Sequence, residues 1–230
     1  MPRLLLFDID GTLIDSGGAG GESILDAAEE HFGIQRGELP PLQLAGSTDP
    51  GIAMDLFQRL NREHSPDEIN AFLDRYLANL QRRLQSPDFS GVTLPGVGQL
   101  LQTLRGESQA HLGLLTGNVR RGATIKLSRH GLFEHFIDGG FGSDHHDRNQ
   151  LGPVALQRMQ DATGTTYDLT DVIVIGDTPK DIRCAEAFGA KCLAVATGEY
   201  SAEELSALNP WRTVESFADV PAMVELLLQA

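Results

Sequence analysis

Three short apolar runs, each closed by polar residues and glycine, punctuate the chain. Leu4 to Ile9 is apolar except for Asp8 and gives way to Asp10-Gly11-Thr12. His111 to Leu115 ends in Thr116-Gly117-Asn118, and Val172 to Ile175 ends in Gly176-Asp177-Thr178. Runs of this length bounded by turn residues predict buried strands. Cys192 to Val195 predicts a fourth, and Phe136-Ile137, ahead of Gly139-Gly140, a shorter fifth. Helical periodicity fills the intervals, over Val97 to Leu104, Val119 to Ser128, Val154 to Ala162 and Pro179 to Phe188, with a last helix over Pro221 to Leu228. Strands alternating with helices predict an α/β fold, a parallel sheet covered by helices on both faces. Ligands of such sheets bind beyond the carboxyl ends of the strands, where the polar triplets fall.

The segment from Ser16 to about Ser90 follows another pattern. It carries no strand signal, and Glu22 to Phe32, Ile52 to Leu60 and Asp67 to Leu84 read as amphipathic helices. The glycine-rich Ser16 to Gly21 opens it, and Ser86-Pro87-Asp88 and Leu94-Pro95-Gly96 mark the return. The expected organisation is a core domain of residues 1–15 and 91–230 and an inserted helical domain of residues 16–90. There is no internal repeat.

The 230 residues suffice for a real core, and the apolar (41%) and charged (22%) shares are those of a globular protein. The net charge of −14 opposes nucleic acid as a general partner. It also means that an anionic substrate needs a local positive centre. Cys184 and Cys192, the two cysteines, make no CxxC spacing and no disulfide framework, which fits a reducing compartment. The apolar run Leu4 to Phe7 is too short for a signal peptide or a membrane span, so the expectation is a cytoplasmic protein without a membrane partner. Oligomeric state is open between monomer and homodimer.

Asp8 and Asp10, two residues apart at a strand end, are expected to project to the same side. With Asp177 and Asp181 they place as many as four carboxylates at one sheet mouth. Like charges so close raise one another's pKa and oppose folding. A divalent cation removes the conflict, and carboxylates with a backbone carbonyl and waters are what Mg²⁺ favours.

Three segments, Asp8-Ile9-Asp10-Gly11-Thr12-Leu13, Leu114-Leu115-Thr116-Gly117-Asn118 and Gly176-Asp177-Thr178-Pro179-Lys180-Asp181, closely resemble the first, second and fourth motifs of the haloacid-dehalogenase superfamily, in that family's order. The resemblance covers the whole chain and is nearest to the phosphoglycolate-phosphatase-like members. It implies a three-layer Rossmann-like core with a helical cap, and a Mg²⁺-dependent phosphohydrolase of a small phosphorylated metabolite, with 2-phosphoglycolate a candidate. In that scheme Asp8 attacks phosphorus and becomes an aspartyl phosphate, and Asp10 serves as general acid and then base. Thr116, with the N–H of Gly117 or Asn118, holds the phosphoryl group, Asp8, the Asp10 carbonyl and Asp177 hold the metal, and Asp181 orders its waters. The third motif departs from the pattern. The family usually places a lysine there, but none of Lys126, Lys180 and Lys191 sits in the expected place, and Arg148 is the substitute. A sugar-phosphate mutase is the closest rival reading, with a dehalogenase or a non-catalytic binding protein further off.

Plainer readings stand beside these. Thr178-Pro179-Lys180-Asp181 also fits a helix start with a capping box, and Asn118 also fits an N-cap. Gly17 to Gly21 lacks the ending of a P-loop and reads as a hinge. Ala45 to Pro50 reads equally as a specificity loop or a helix cap. His145-His146-Asp147 reads as a solvated loop, the cysteines as inert buried thiols, and Trp211 has no assigned role.

Overall fold

The computed structural model describes residues 2–229. The chain runs β1 (Arg3–Phe7), β2 (Ile14–Asp15), α1 (Ala19–Phe32), α2 (Asp49–Arg59), α3 (Pro66–Gln85), β3 (Val92–Thr93), α4 (Val97–Arg105), β4 (Ala110–Thr116), α5 (Arg120–Arg129) and β5 (Gly139–Phe141). It continues through α6 (Leu151–Thr163), β6 (Val172–Gly176), α7 (Pro179–Phe188), β7 (Lys191–Val195), α8 (Ala202–Ser206), β8 (Arg212–Val214) and α9 (Val220–Gln229). Six strands form one parallel sheet in the order β5-β4-β1-β6-β7-β8. β1 lies between β4 and β6, so the three polar strand ends are neighbours. The chain leaves β1 first to one side and later to the other, which is the switch point where parallel sheets open a crevice.

Side-chain alternation builds a core on each face. Leu5, Phe7, Ile173 and Ile175 pack against α4, α5 and α9, whereas Leu4, Leu6, Val172 and Val174 pack against α6 and α7. Each such side chain contributes about 1.5–3 kcal/mol when fully buried. Near-continuous apolar strands are what burial on both faces demands.

α1, α2 and α3 enclose a separate hydrophobic cluster centred on Phe57, Phe72 and Tyr76. The starts of α2 and α3 are capped by side chains. Thr48 Oγ1 accepts the Gly51 N–H at 3.0 Å, and Ser65 and Glu68 form a capping box ahead of α3. The antiparallel pair β2–β3 joins Ile14 to Thr93 and Asp15 to Val92, where the chain leaves and re-enters the sheet region. Among the described residues, no helix is long and apolar enough to cross a membrane.

Several local expectations need correction. The fifth strand is Gly139–Phe141 and not Phe136-Ile137, because the glycines that read as a turn pair in register with Leu114 and Leu115. β8 and the five-residue α8 carry no apolar run, being an edge strand and a short turn of helix. α6 starts at Leu151, since Pro153 in the first helical turn lacks only an N–H that would be unpaired there anyway.

Candidate active site

β1 stops at Phe7, and Asp8 extends it by one residue, donating its N–H to the Ile175 carbonyl at 2.9 Å. That places Asp8 beside Asp177, which follows β6, and Asp181, in the first turn of α7. All three are buried, and one oxygen from each lies within 4.8 Å of the others. Asp177 is closely oriented. Thr12 Oγ1 donates to its Oδ1 at 2.8 Å. Two loops press on it, so that a Cβ at Gly11 or Gly198 would stand 2.2 or 1.8 Å from Oδ2. Gly11 also needs its positive φ of 76°. Asp181 is both the capping carboxylate of α7, taking the Thr178 N–H at 3.0 Å and hydroxyl at 2.7 Å, and a member of the acidic cluster.

Burial followed by the charges of Asp181 and Asp8 pushes the Asp177 carboxyl up to about 8. Burial also raises Asp8; Arg148 pulls it down, Asp181 pushes it up, and it stands at about 6. These are carboxylates short of positive charge. A hard divalent cation fits the all-oxygen donor set and the fixed cradle around Asp177.

Arg148 enters from the short 3₁₀ turn ahead of α6. Its Nη2 lies 3.0 Å from Asp8 Oδ2 and also donates to Asp181 Oδ1. Its Nη1 donates to the Gly46 carbonyl at 3.0 Å. Burial disfavours the charge, but Asp181 and Asp8 outweigh it and hold the guanidinium above its ordinary range. Cys184 sits behind it, with Sγ 3.2 Å from the Arg148 carbonyl, and burial pushes that thiol up to about 12.

The Asp10 side chain does not join the acidic cluster; of the four expected carboxylates, three converge. Asp10 lies beyond the strand, where two-residue alternation no longer governs direction. Its Oδ2 accepts from Lys126 Nζ at 2.6 Å and from Asn118 Nδ2 at 2.9 Å. Burial would raise this carboxyl, but Lys126, Asn118 and the Ser16 hydroxyl outweigh it and leave it below the ordinary value. Asn118 is not the N-cap of α5, a position held by Val119. Instead its side chain also reaches Thr116 Oγ1, at 2.9 Å, and its N–H points there at 3.3 Å. The Gly117 N–H is therefore the better placed of the two for a ligand. Thr116 also hydrogen-bonds Asp8.

A model of the haloacid dehalogenase-like hydrolases matches residues 5–186. The chain belongs to this family. It is 27% identical over 216 residues to phosphoglycolate phosphatase of Pseudomonas putida, a match covering 91% of this chain and 75% of that one. It is 25% identical over 240 residues to a protein of Dickeya dadantii named probable phosphatase IndB, covering 100% and 96% of the two chains. A crystal structure of a hydrolase from Pseudomonas syringae shares the fold, with a TM-score of 0.73 at 20% identity, over 98% of this chain and 99% of that one.

In this haloacid dehalogenase-like hydrolase, Asp8, Asp10 and Arg148 open on a cavity of about 430 Å³ between the sheet mouth and α1–α3. Ile24, Leu44, Ile52 and Tyr76 line its far side, together with Ser47 and the buried Asp49. The segment from Ala45 to Pro50 both starts a helix and borders the cavity. Thr48 caps α2, while Ala45, Gly46, Ser47 and Asp49 face the cavity. It is also tied to the sheet region. The Asp49 N–H donates to the Gly117 carbonyl at 2.8 Å, Asp49 Oδ2 accepts the Val119 N–H at 2.8 Å, and Lys180 Nζ donates to Ser47 Oγ at 2.5 Å. Gly18, with φ 78°, caps α1 at the glycine cluster. His145 stacks on His146 on a partly exposed loop, and Trp211 packs under the Lys191 and Arg212 cations.

Lys126 and Asp49 are the site residues that motif reading missed. Lys126 carried one signal: in Ala-Thr-Ile-Lys-Leu it shares a helix face with Ala123 and Leu127, a face expected to be apolar. Asp49 was masked by the adjacent proline, which reads as an ordinary helix start.

Proposed function

We propose that this chain is a Mg²⁺-dependent phosphomonoesterase of small phosphorylated metabolites, working through a phosphoryl group carried on Asp8. The observation that supports this most is the buried Asp8, clustered with the oxygens of Asp177 and Asp181 and 3.0 Å from Arg148, with Asp10 beside the same cavity. The phosphatase names of two relatives along nearly the whole chain point the same way.

Asp8, Asp177 and the Asp10 carbonyl are the groups to hold Mg²⁺, with Asp181 behind them. When bound, the ion neutralises charge on the transferring phosphoryl group and draws an anionic ester to a chain of net charge −14. Arg148, Thr116 and the Gly117 N–H bind the phosphoryl oxygens and align phosphorus with Asp8. A carboxylate oxygen of Asp8 forms a bond to phosphorus as the bond to the alcohol oxygen breaks, and Asp10 delivers a proton to that oxygen. Asp10 then removes a proton from water as the water oxygen attacks phosphorus, and the bond to Asp8 breaks. The low pKa of Asp10 favours the base form that this second step needs. The first step needs the acid form, so its proton is taken up with the substrate.

Residues 16–90 act as the cap in this reading, closing over the alcohol portion and excluding bulk water. The buried free cysteines suit a reducing compartment, and we assign the protein to the cytoplasm. The test is release of inorganic phosphate from a panel of phosphomonoesters, 2-phosphoglycolate included, with Mg²⁺ and with a chelator. Free phosphate appearing only with Mg²⁺ supports the assignment. An isomerised sugar phosphate without free phosphate replaces it with a mutase, and no turnover of any ester overturns it.

A further inference from the structure

The inward face of α5 consists of Gly122, Ala123, Lys126 and Leu127. A lysine in such a place is rare, because removing an ammonium from water is costly unless it is paired. Lys126 is only 3% exposed. Its Nζ lies 2.6 Å from Asp10 Oδ2 and 2.7 Å from Asn118 Oδ1, while Asn118 Nδ2 donates to the same Asp10 oxygen at 2.9 Å. The three side chains close a triangle. Asn118 stands just before the N-cap of α5 and Lys126 in its second turn, and the 2.7 Å hydrogen bond between them ties the loop to the helix. From above, α1 leaves room for the amine by having no side chain at Gly20, where a Cβ would stand 3.2 Å from Nζ. The two buried cations of the cavity are thus divided, Arg148 on Asp8 and Lys126 on Asp10.

We propose that Lys126 is a positioning residue for Asp10: with Asn118 it anchors the carboxylate through Oδ2 and leaves Oδ1 to exchange the proton with ester oxygen and water. The Ser16 hydroxyl also hydrogen-bonds this carboxylate. The inference rests on Asp10 being the acid and base of the proposed reaction. It differs from two other uses of the same amine. An amine that bound substrate directly would act on KM, and one that merely filled a core position would act on stability alone.

The test compares wild type, Lys126→Met and Lys126→Gln as purified full-length proteins with Mg²⁺. Two esters are used, p-nitrophenyl phosphate, whose leaving group needs little protonation, and the best alkyl phosphate of the panel. If Lys126 aims Asp10, kcat/KM for the alkyl ester falls by about a hundredfold or more, as loss of general acid catalysis would. The fall for p-nitrophenyl phosphate stays under about tenfold. Lys126→Gln keeps a hydrogen-bond donor and covers the case in which the methionine variant does not fold; it shows the same split at smaller size. Equal falls for the two esters, or a change in KM alone, overturn the proposal. A crystal structure of a folded variant gives a second readout that needs no turnover. Asp10 rotated away from Asn118 supports the proposal, and Asp10 unmoved overturns it. Wild type inactive on every ester defeats the phosphatase assignment, and the structural comparison still decides the positioning role.

Discussion

Arg148 bridges Asp8 and Asp181, with Nη2 3.0 Å from Asp8 Oδ2 and in contact with Asp181 Oδ1. One guanidinium nitrogen thus serves two buried carboxylates, while a third, Asp177, lies within the same cluster. Removing it leaves their charge uncompensated in a dry site. Arg148→Ala is expected to lose about 3–5 kcal/mol of stability, as removal of one partner of a buried ion pair does. The phosphatase rate is expected to fall by at least about tenfold. Urea unfolding and phosphate release check the two effects separately. A near-normal rate in a folded variant would move the phosphoryl contact to another residue.

Magnesium should stabilise the protein more as pH rises. Asp8 stands at about 6 and Asp177 at about 8, both above the ordinary value of 3.8, and burial is the largest cause in each case. A carboxyl raised in the folded state contributes stability that is complete below its unfolded value and lost as pH climbs through its folded value. Without metal, this contribution therefore fades from about pH 4 to about pH 8. Mg²⁺ binds the ionised oxygens and reverses the loss. The expected result is a larger Mg²⁺-induced rise in Tm near pH 8.5 than near about pH 5. Equal shifts at both would argue that these carboxylates are not the ligands.

Asp49 links the helical insertion to the sheet region through the Val119 N–H, at 2.8 Å. Burial pushes its carboxyl up to about 7, opposed by Lys126 and that N–H and reinforced by Asp10 and Asp8. Asp49→Ala removes the acceptor from a buried donor and should cost about 1–3 kcal/mol. Asp49→Asn keeps an acceptor without the charge. By the same sign rule, the wild type loses stability relative to the asparagine variant as pH rises through about 7. Thermal melts of the two proteins at several pH values check this. A difference that does not vary with pH would show Asp49 ionised throughout.

Much of this was legible in the chain because polar groups ended apolar runs. Asp8 and Asp177 each follow a buried strand and Thr116 ends one, and the sheet order sets β1 between β4 and β6. Eliminating the lysines for one role points to Arg148, which stands against Asp8. The same elimination passed over Lys126, because a lysine in a helix reads as solvated until the whole face is drawn. Asp10 was expected to join the cation cluster by strand alternation, but β1 ends before it and the Lys126 charge draws its side chain elsewhere. Glycine reads as a turn, which hides β5, and an edge strand needs no apolar run, which hides β8.

The central claim is that Asp8 itself takes up the phosphoryl group. The direct measurement is the rate of Mg²⁺-dependent phosphate release by Asp8→Asn beside wild type, on the best ester of the panel, with folding confirmed by circular dichroism. The account predicts a folded variant with turnover abolished; a folded Asp8→Asn protein that retains substantial phosphatase activity would contradict it.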